Sequence, residues 1–377
     1  LTQHATHTTE WRARPGEPLQ RAPRLIRRAH QEIEYVYTST MQVEYRHEWD
    51  RTAHTQPYST GGRVRSLRFF YQHPRGLLTR VDGYRTDVAD TTDLTYNPQT
   101  FYLTGLTNAL GQVSTFADHD AHGRPRTLID PNGVRTELAY DARGRVLSRT
   151  LHSAQGPATT AFEYDAAGQL TRLSVPGGDV FTYEYDGAHR LIALSTSRGD
   201  RIDYTLDAAG NRVQENIRDA SGTLVRTHRR VFDELSRLFQ EVGAYNHTTA
   251  WGYDPNGQVR TITDPLRRVT EQRFDALNRL IERTDAGGGI SRFEYDGADH
   301  VVAVTDPRGN RTEYTVDGFG RVIQQRSPDS GVTTYRYDEA GNRIEQTDAR
   351  GVITQYDYDA LNRLIAQRFP ATPEHNV

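Results

Sequence analysis

An aspartate recurs at a nearly constant interval through much of this chain, and the interval constrains the fold more than any other feature. Nine of the eleven spacings between successive copies are 21 residues, and the other two are 24 and 26. A fixed period of this length is typical of a stacked array of one small supersecondary unit. Such arrays usually present a surface or an enclosure, since each unit contacts mainly its neighbours. The aspartates are Asp120, Asp141, Asp165, Asp186, Asp207, Asp233, Asp254, Asp275, Asp296, Asp317, Asp338 and Asp359.

Each aspartate opens an Asp-x-x-Gly turn, which we call the aspartate turn. Aspartate at the first position of a type I turn accepts a backbone N–H, and glycine at the fourth position tolerates positive φ. Asn278 and Asn362 take the glycine's place as the next best fit, whereas His189, Ser236 and Asp299 fit less well. We therefore predict structural turn roles for the aspartates and for the turn glycines Gly123, Gly144, Gly168, Gly210, Gly257, Gly320 and Gly341.

A second turn, Asp-Pro-x-Gly or a variant of it, alternates with the aspartate turn, as at residues 130–133 and 306–309. Between the two turns, aromatic and polar residues alternate with a period of two, as in residues 181–185. That period places rings on one face of a strand and charges on the other. Each repeat is thus predicted to be a β-hairpin. We expect an all-β, antiparallel fold over residues 43–368 with negligible helix.

The composition favours a thin sheet over a thick core. Only 35% of the residues are hydrophobic, and tyrosines (21) outnumber phenylalanines (12). The net charge of −3 predicts no bulk attraction to nucleic acid. All 46 basic residues are arginine and there is no cysteine, which excludes lysine Schiff bases, thiol nucleophiles and disulfides. No apolar run in the sequence is long enough to cross a membrane.

The repeat pattern divides the chain into four parts. Residues 1–34 form an arginine-rich segment that we interpret as a linker or a short helix between Arg24 and Glu34, with an interaction arm as the alternative. Residues 35–118 carry degenerate repeats, residues 119–370 carry regular repeats, and residues 371–377 form a tail. Because the chain starts at Leu1 and its one methionine is Met41, we expect a piece of a longer polypeptide.

Catalytic and metal-binding chemistry is not indicated. Aspartates spaced 21 residues apart do not match the glycine-rich calcium β-roll, so turn formation is the better interpretation. Nothing places the carboxylates of Asp348 and Asp357 as an acid–base pair. The histidines are scattered without a metal-ligand motif. We therefore expect no enzyme activity, no metal and no cofactor in these residues.

The Tyr-Asp-x-x-Gly-Arg unit resembles the YD repeat of the Rhs family, and residues 140–146 and 358–364 show it well. The resemblance is clear over residues 95–370 and weak over residues 43–95. Members include bacterial Rhs polymorphic toxins, cocoon subunits of insecticidal toxin complexes and the shell of animal teneurins. The resemblance implies a β-sheet that spirals into a hollow shell and, in bacterial members, encloses a toxic C-terminal domain. The family's closing segment, where aspartates release the toxin, has no counterpart before Val377.

The resemblance also implies partners: an enclosed toxin from the same polypeptide and a component of a secretion or delivery machine. It implies a secreted or delivered bacterial protein that is made in the cytoplasm. Two other architectures compete with this interpretation. A cell-surface adhesion or carbohydrate-binding hairpin array would use aromatic cages, but the chain has only three tryptophans, Trp11, Trp49 and Trp251. A propeller would need its longer repeats, near residues 151–158 and 217–228, to form outer loops.

Overall fold

The computed structural model describes residues 8–10 and 24–372. Within these residues the chain forms 32 β-strands and a single-turn 3-10 helix, Ala244–Asn246, and no α-helix. The predicted all-β, antiparallel hairpin architecture is therefore confirmed. The chain divides into two compact units, one formed by residues up to Val113 together with residues from Gly289, the other by residues 114–288.

In the first unit, strands pair with their neighbours in chain order. The eight strands before the unit boundary are β1 Thr8–Glu10, β2 Leu25–Arg27, β3 Gln31–Tyr37, β4 Val43–Asp50, β5 Val64–Phe70, β6 Arg80–Asp82, β7 Thr92–Tyr96 and β8 Leu103–Thr107. The eight strands at the other end are β25 Ile290–Tyr295, β26 Val301–Thr305, β27 Arg311–Val316, β28 Val322–Ser327, β29 Gly331–Tyr337, β30 Arg343–Thr347, β31 Ile353–Tyr358 and β32 Leu364–Arg368.

The second unit consists of consecutive antiparallel hairpins. Its strands are β9 Val113–Ala117, β10 Thr127–Ile129, β11 Arg135–Tyr140, β12 Val146–Ser153, β13 Gly156–Tyr164, β14 Leu170–Ser174, β15 Val180–Tyr185 and β16 Leu191–Thr196. They continue as β17 Arg201–Leu206, β18 Arg212–Arg218, β19 Leu224–Phe232, β20 Leu238–Val242, β21 Thr248–Tyr253, β22 Val259–Thr263, β23 Val269–Phe274 and β24 Leu280–Thr284.

The strands have two chemically different faces, as the alternating sequence predicts. In β15 the rings of Phe181, Tyr183 and Tyr185 are half-buried on one face, whereas Glu184 on the opposite face is exposed. Glu184 lies opposite Ala193 of β16, so these two residues share the charged face. Because the side-chain period of a strand is two, one segment supplies both a ring face and a charged face.

Arginines bridge neighbouring strands on the charged face. Arg201 of β17 contacts the carboxylates of both Glu184 and Asp203, and Ala193, which is paired with both acids, is 1% exposed. Hydrophobic burial is sparse by comparison. Among the residues that the structure describes, the fully buried hydrophobic side chains are Ile33, Ala193, Ala303, Val316 and Ile323.

The two longer repeats extend their hairpins and form no separate loop. Strands β12 and β13 remain paired as far as Ser153 and Gly156, and β18 and β19 as far as Arg218 and Leu224. Eleven of the twelve aspartate turns, all but that at Asp120, follow a register shift in the preceding strand, for example between Glu184 and Tyr185. Such a bulge increases the local twist of the sheet.

The segment before residue 35 differs from the sequence-based interpretation. Residues 25–27 and 31–37 form strands β2 and β3, where a linker or short helix was expected between Arg24 and Glu34. The physical reason is visible in the alternation of Ile33 and Tyr35 with Glu32 and Glu34, which favours a strand paired to β4. The earlier arginines, at positions 12, 14 and 21, lie outside the described residues.

Candidate functional site

The aspartate turn is a compact set of hydrogen bonds made by one carboxylate. At Asp141, Oδ1 accepts the backbone N–H groups of Arg143 and Arg145, each at 2.9 Å. Oδ2 accepts Nε of Arg145 at 2.6 Å. The N–H of Gly144 closes the turn on the Asp141 carbonyl at 3.0 Å. Gly144 has φ of 89°, a left-handed conformation that favours glycine.

The same carboxylate bond recurs in every repeat. In each of the twelve, Oδ1 of the aspartate accepts the backbone N–H four residues further on, at 2.8–3.1 Å. The fourth turn position has positive φ at Gly123, Gly144, Gly168, Gly210, Gly257, Gly320 and Gly341, and also at His189, Ser236, Asn278, Asp299 and Asn362. The residues that fit the turn less well therefore adopt the conformation that glycine adopts elsewhere.

These bonds lower the pKa of several turn carboxylates. At Asp141, burial alone raises the pKa, but hydrogen bonds from the backbone and side chain of Arg145 outweigh that effect and hold it below its ordinary value of 3.8. At Asp120 the same balance, with Arg124 and His122 as donors, lowers the pKa to about 2. Asp120 and Asp141 are therefore ionised at neutral pH and act as acceptors.

Several turns are also bound to the following repeat. The guanidinium of Arg145 lies 4.5 Å from the ring centre of Tyr164, and the Tyr164 hydroxyl donates to the carbonyl of Val146 at 3.0 Å. Arg237 with Tyr253 and Arg321 with Tyr337 repeat the ring contact. A guanidinium can satisfy a carboxylate and cover an aromatic face at once, which the ammonium of lysine does less well.

In the first unit, residues 29–90 contact the repeats that open at Asp296, Asp317, Asp338 and Asp359, and we call this set of contacts the clasp. Its polar contacts reach successive repeats. His54 Nε2 lies 2.9 Å from the carbonyl oxygen of Val316. Arg63 donates to the carbonyl of Tyr337 at 3.3 Å, and Arg85 donates to the carbonyl of Asp359 at 2.8 Å. The N-terminal segment therefore recognises repeat backbone at nearly equivalent positions.

The centre of the clasp contains two buried aspartates. Asp50 and Asp317 are both 0% exposed. Asp50 Oδ1 accepts the backbone N–H and the hydroxyl of Thr52, at 2.8 and 2.6 Å, while Asp317 pairs with Arg321 at 2.6 Å. Gly318 permits the approach, because a Cβ there would lie 2.2 Å from the His30 carbonyl oxygen and 2.5 Å from Asp50 Oδ1.

A further buried carboxylate, Glu48, organises the residues beside this centre. Its side chain is 1% exposed and accepts hydrogen bonds from Arg65 at 2.8 Å and from the Tyr84 hydroxyl. Burial raises the pKa of Glu48, but these bonds outweigh it and the pKa is lowered. Burial and the bond to Glu48 raise the pKa of Tyr84 to about 12. The Arg65 guanidinium lies 4.5 Å from the Phe319 ring centre, which connects the cluster to the Asp317 turn.

The clasp encloses open space but brings together no recognisable catalytic set. A cavity of about 520 Å³ lies beside His30, His54 and Asp296, and another of about 540 Å³ beside Tyr58 and Arg336. Across residues 24–372, no group of three histidines or acids is placed to hold a metal ion. No helix in the part of the chain that the structure describes is long and apolar enough to cross a membrane.

Sequence reasoning located the turns but missed the clasp. Four clasp residues lie in the region of degenerate repeats, where the spacing is too irregular to align positions with the regular repeats: Asp50, His54, Arg63 and Arg85. Their partners are more than 250 residues away in the chain. The available sequence signal for the clasp was the glycine directly after Asp317. The second position of an aspartate turn does not require glycine, so a glycine there needs another structural reason.

The RHS Repeat family model matches seven stretches, six of which overlap a neighbour, that together cover more than half of the chain: residues 119–158, 140–180, 164–201, 185–224, 253–290, 316–353 and 342–372. No curated protein sequence matches the chain. The solved structure of TcdB2-TccC3 without its hypervariable C-terminal region is similar, with a TM-score of 0.56 and 15% identity over 92% of this chain and 19% of that chain.

The structures of TcdB2-TccC3 and TcdB2-TccC3-Cdc42 each match with a TM-score of 0.50 and 13% identity. They cover 99% and 100% of this chain, and 25% of each of those chains. The chain thus spans about a fifth to a quarter of the length of these structures and shares the fold of that part.

Proposed function

Because this chain belongs to the RHS repeat family, we propose that it is a structural wall segment of a hollow β-shell that encloses and protects a cargo polypeptide before delivery. One observation carries the proposal: the same aspartate turn, with the same carboxylate bond, is present in all twelve repeats. Repetition of this kind lengthens a wall and adds no distinct binding or catalytic site.

The energetics of the repeats suit a wall. Stabilisation comes from contacts between neighbouring hairpins, such as the bond from Tyr164 to the Val146 carbonyl and the stacking of Arg145 on Tyr164. Since few hydrophobic side chains are fully buried, the sheet does not depend on a thick packed core. A sheet held together along its own length can surround a space, and its two faces can differ in chemistry.

The proposed cargo is a toxic C-terminal part of the same polypeptide. One structural relative is TcdB2-TccC3 without a hypervariable C-terminal region, and we infer a corresponding variable segment for the parent of this chain. A delivery-machine component would then be the second partner, and the parent would be a secreted or delivered bacterial protein. We assign no catalysis to residues 24–372, and any proteolytic or toxic activity would belong to other parts of the parent.

The test is a structure or a solution scattering curve of the intact parent polypeptide, combined with limited proteolysis. We expect scattering from a particle with a solvent-filled or cargo-filled interior, and cargo that resists protease until the wall is unfolded. A matched sample of the separated cargo should be digested under the same conditions.

A compact solid particle, or cargo that is cleaved as fast in the intact parent as alone, would contradict enclosure. The alternative, a carbohydrate-binding or adhesion array, would then be the better interpretation. Binding of defined oligosaccharides to the 377-residue chain would test that alternative directly.

A further inference from the structure

One aspartate turn in the clasp carries a histidine where seven others carry arginine. Position four after the aspartate is His300 in the Asp296 turn, and the remaining turns have asparagine or glutamine there. His300 Nδ1 lies 3.1 Å from Asp296 Oδ2. His30 Nε2, from the N-terminal segment, lies 3.5 Å from the same oxygen. Two imidazoles from distant parts of the chain therefore share one carboxylate oxygen.

This group is part of the structure of the clasp. The carbonyl of His30 accepts the backbone N–H of Arg51 at 2.9 Å and lies where a Cβ on Gly318 would collide with it. The preceding residue, Ala29, has its Cβ 3.6 Å from the position that a Cβ on Gly297 would occupy. A change in the attraction between His30 and Asp296 would thus act on the contact that positions the N-terminal segment.

The group is accessible to protons from solvent. The side chains of His30 and His300 are 31% and 30% exposed, and that of Asp296 is 16% exposed. His30 and Asp296 also line the cavity of about 520 Å³ in the clasp. Protonation can therefore occur without unfolding of the clasp.

Most of the other charged and titratable groups around the two imidazoles have partners, although Oδ2 of the buried Asp50 has no hydrogen-bond partner. Arg51 pairs with Glu32 at 2.7 Å, and His54 contacts the Val316 carbonyl. Buried Asp50 accepts from Thr52, and Asp317 pairs with Arg321. Asp299 belongs to the Asp296 turn and has a partner of its own, and Tyr314 lines the same cavity. Asp296 is thus the carboxylate that contacts both His30 and His300.

We propose that His30, Asp296 and His300 form a proton-dependent latch that tightens the clasp on mild acidification. A neutral imidazole offers Asp296 at most a hydrogen bond, whereas an imidazolium adds a full opposite charge. The other aspartate turns cannot respond in this way, because arginine stays charged and asparagine and glutamine stay neutral across the same pH range. The proposal concerns the clasp alone and does not depend on enclosure of a cargo.

The pH range in which the latch acts follows from how the charge of each group changes with pH. Histidine gains its charge between about pH 8 and pH 5, so the added attraction is present at the acid side of that range and is lost as the pH rises. Burial raises the pKa of Asp296, but hydrogen bonds from the N–H groups of His300 and Ala298 outweigh it and lower the pKa below 3.8. Asp296 therefore stays ionised on mild acidification, and its protonation in stronger acid removes the attraction again.

The test is hydrogen exchange on the full 377-residue chain at about pH 7.5 and about pH 5.5, with rates corrected for the intrinsic pH dependence of exchange. The reporters are the amides of Arg51 and Thr60, which donate to the carbonyls of His30 and His54. We expect their protection to rise about three- to tenfold at the lower pH, as partly exposed ion pairs allow. The amide of Gly144, in the second unit, is the internal reference and should not change.

The test is made specific by replacing His300 with residues that occupy the same position in other aspartate turns of this chain. His300→Arg and His300→Asn should each keep only the half of the response that His30 supplies, since arginine stays charged and asparagine stays neutral across this range. His30→Gln should reduce the response by about half and serves if a His300 variant does not fold. The proposal is overturned if the wild-type chain and His300→Asn respond equally to pH, or if Gly144 changes as much as Arg51.

Discussion

The aspartate that opens each repeat has different roles in different repeats, depending on the residues around it. Asp141 and Asp317 make the same bonds to an arginine four residues later, yet Asp141 is partly exposed and Asp317 is fully buried under the N-terminal segment. What differs is the next residue, alanine after Asp141 and glycine after Asp317. Gly318 therefore permits the close approach of another part of the chain but does not produce it alone, since Gly187 after Asp186 has open space around it.

Replacing Gly318 with alanine should open the clasp. The new Cβ would lie 2.2 Å from the His30 carbonyl oxygen, and relief of that overlap should cost about 1–3 kcal/mol of local stability. Gly187 is the matched control, because it follows Asp186 in the same way and a Cβ there meets nothing within 4 Å. Exchange of the Arg51 amide should accelerate in Gly318→Ala and stay unchanged in Gly187→Ala. Equal behaviour of the two variants would show that the Gly318 contact is not what holds the clasp.

At the scale of the hairpin, length varies while the turn chemistry is kept. Strands β12 and β13 absorb the three extra residues of their repeat, and β18 and β19 absorb five, by adding rungs to the hairpin. The aspartate turn at the other end of each hairpin retains its carboxylate bonds, as at Asp165 and Asp233. The sheet can therefore accommodate insertions at one end of a hairpin without a change in the bonds of the aspartate turn at the other end.

The turns should make the protein sensitive to strong acid. Asp120, Asp141, Asp186 and Asp275 all have a lowered pKa, with Asp120 at about 2. A carboxylate with a lowered pKa stabilises the fold above its unfolded value and loses that contribution as the pH falls through the folded value. We expect the thermal midpoint, followed by circular dichroism, to fall by roughly 5–10 °C between about pH 4 and about pH 2.

The experiment needs a control for general charge repulsion, since the chain carries 46 arginines and 14 histidines. About 0.5 M sodium chloride screens long-range charge repulsion but does not prevent the loss of the short hydrogen bonds of the turns when their carboxylates are protonated. A midpoint that is constant down to pH 2 in high salt would rule out the turn carboxylates as a source of stability.

Most of the hairpin array was predictable and the clasp was not. The period, the Asp-x-x-Gly signal and the alternation in segments such as residues 181–185 report local geometry, which a sequence encodes within a few residues. The contact between His54 and Val316 depends on how all the intervening repeats twist, and no local pattern reports that. Strands β2 and β3 were missed because nearby prolines and arginines obscured a short alternating segment.

At the scale of the molecule, the first unit joins the two ends of the described chain. Residues 29–90 and the repeats from Asp296 onward meet through buried acids, arginines and backbone carbonyls. Such a polar junction depends on geometry more than on hydrophobic area, because each buried charge must keep its partner. The clasp is therefore specific to one alignment of the N-terminal segment with the repeats.

A disulfide can report that alignment, because the chain contains no cysteine of its own. The Cβ of Ala29 lies 3.6 Å from an ideal Cβ at Gly297, within the separation that a disulfide requires. The double variant Ala29→Cys/Gly297→Cys should oxidise almost completely in the folded state and much less in urea, as measured by mass spectrometry of peptides. The single variants are the controls. Failure of the folded double variant to cross-link would contradict the position of the N-terminal segment.

The hydrogen bond between His54 and Val316 spans 262 positions of the chain, and this has a consequence for the order of folding. A hairpin contact closes a loop of about 21 residues, whereas this contact closes one more than tenfold longer, which costs about 2 kcal/mol more in chain entropy. Hairpins can pair as each emerges from the ribosome, but His54 must wait until Val316 has been synthesised. Until then Asp50 lacks the turn that buries it, and a nascent chain exposes a charged surface that the finished protein hides.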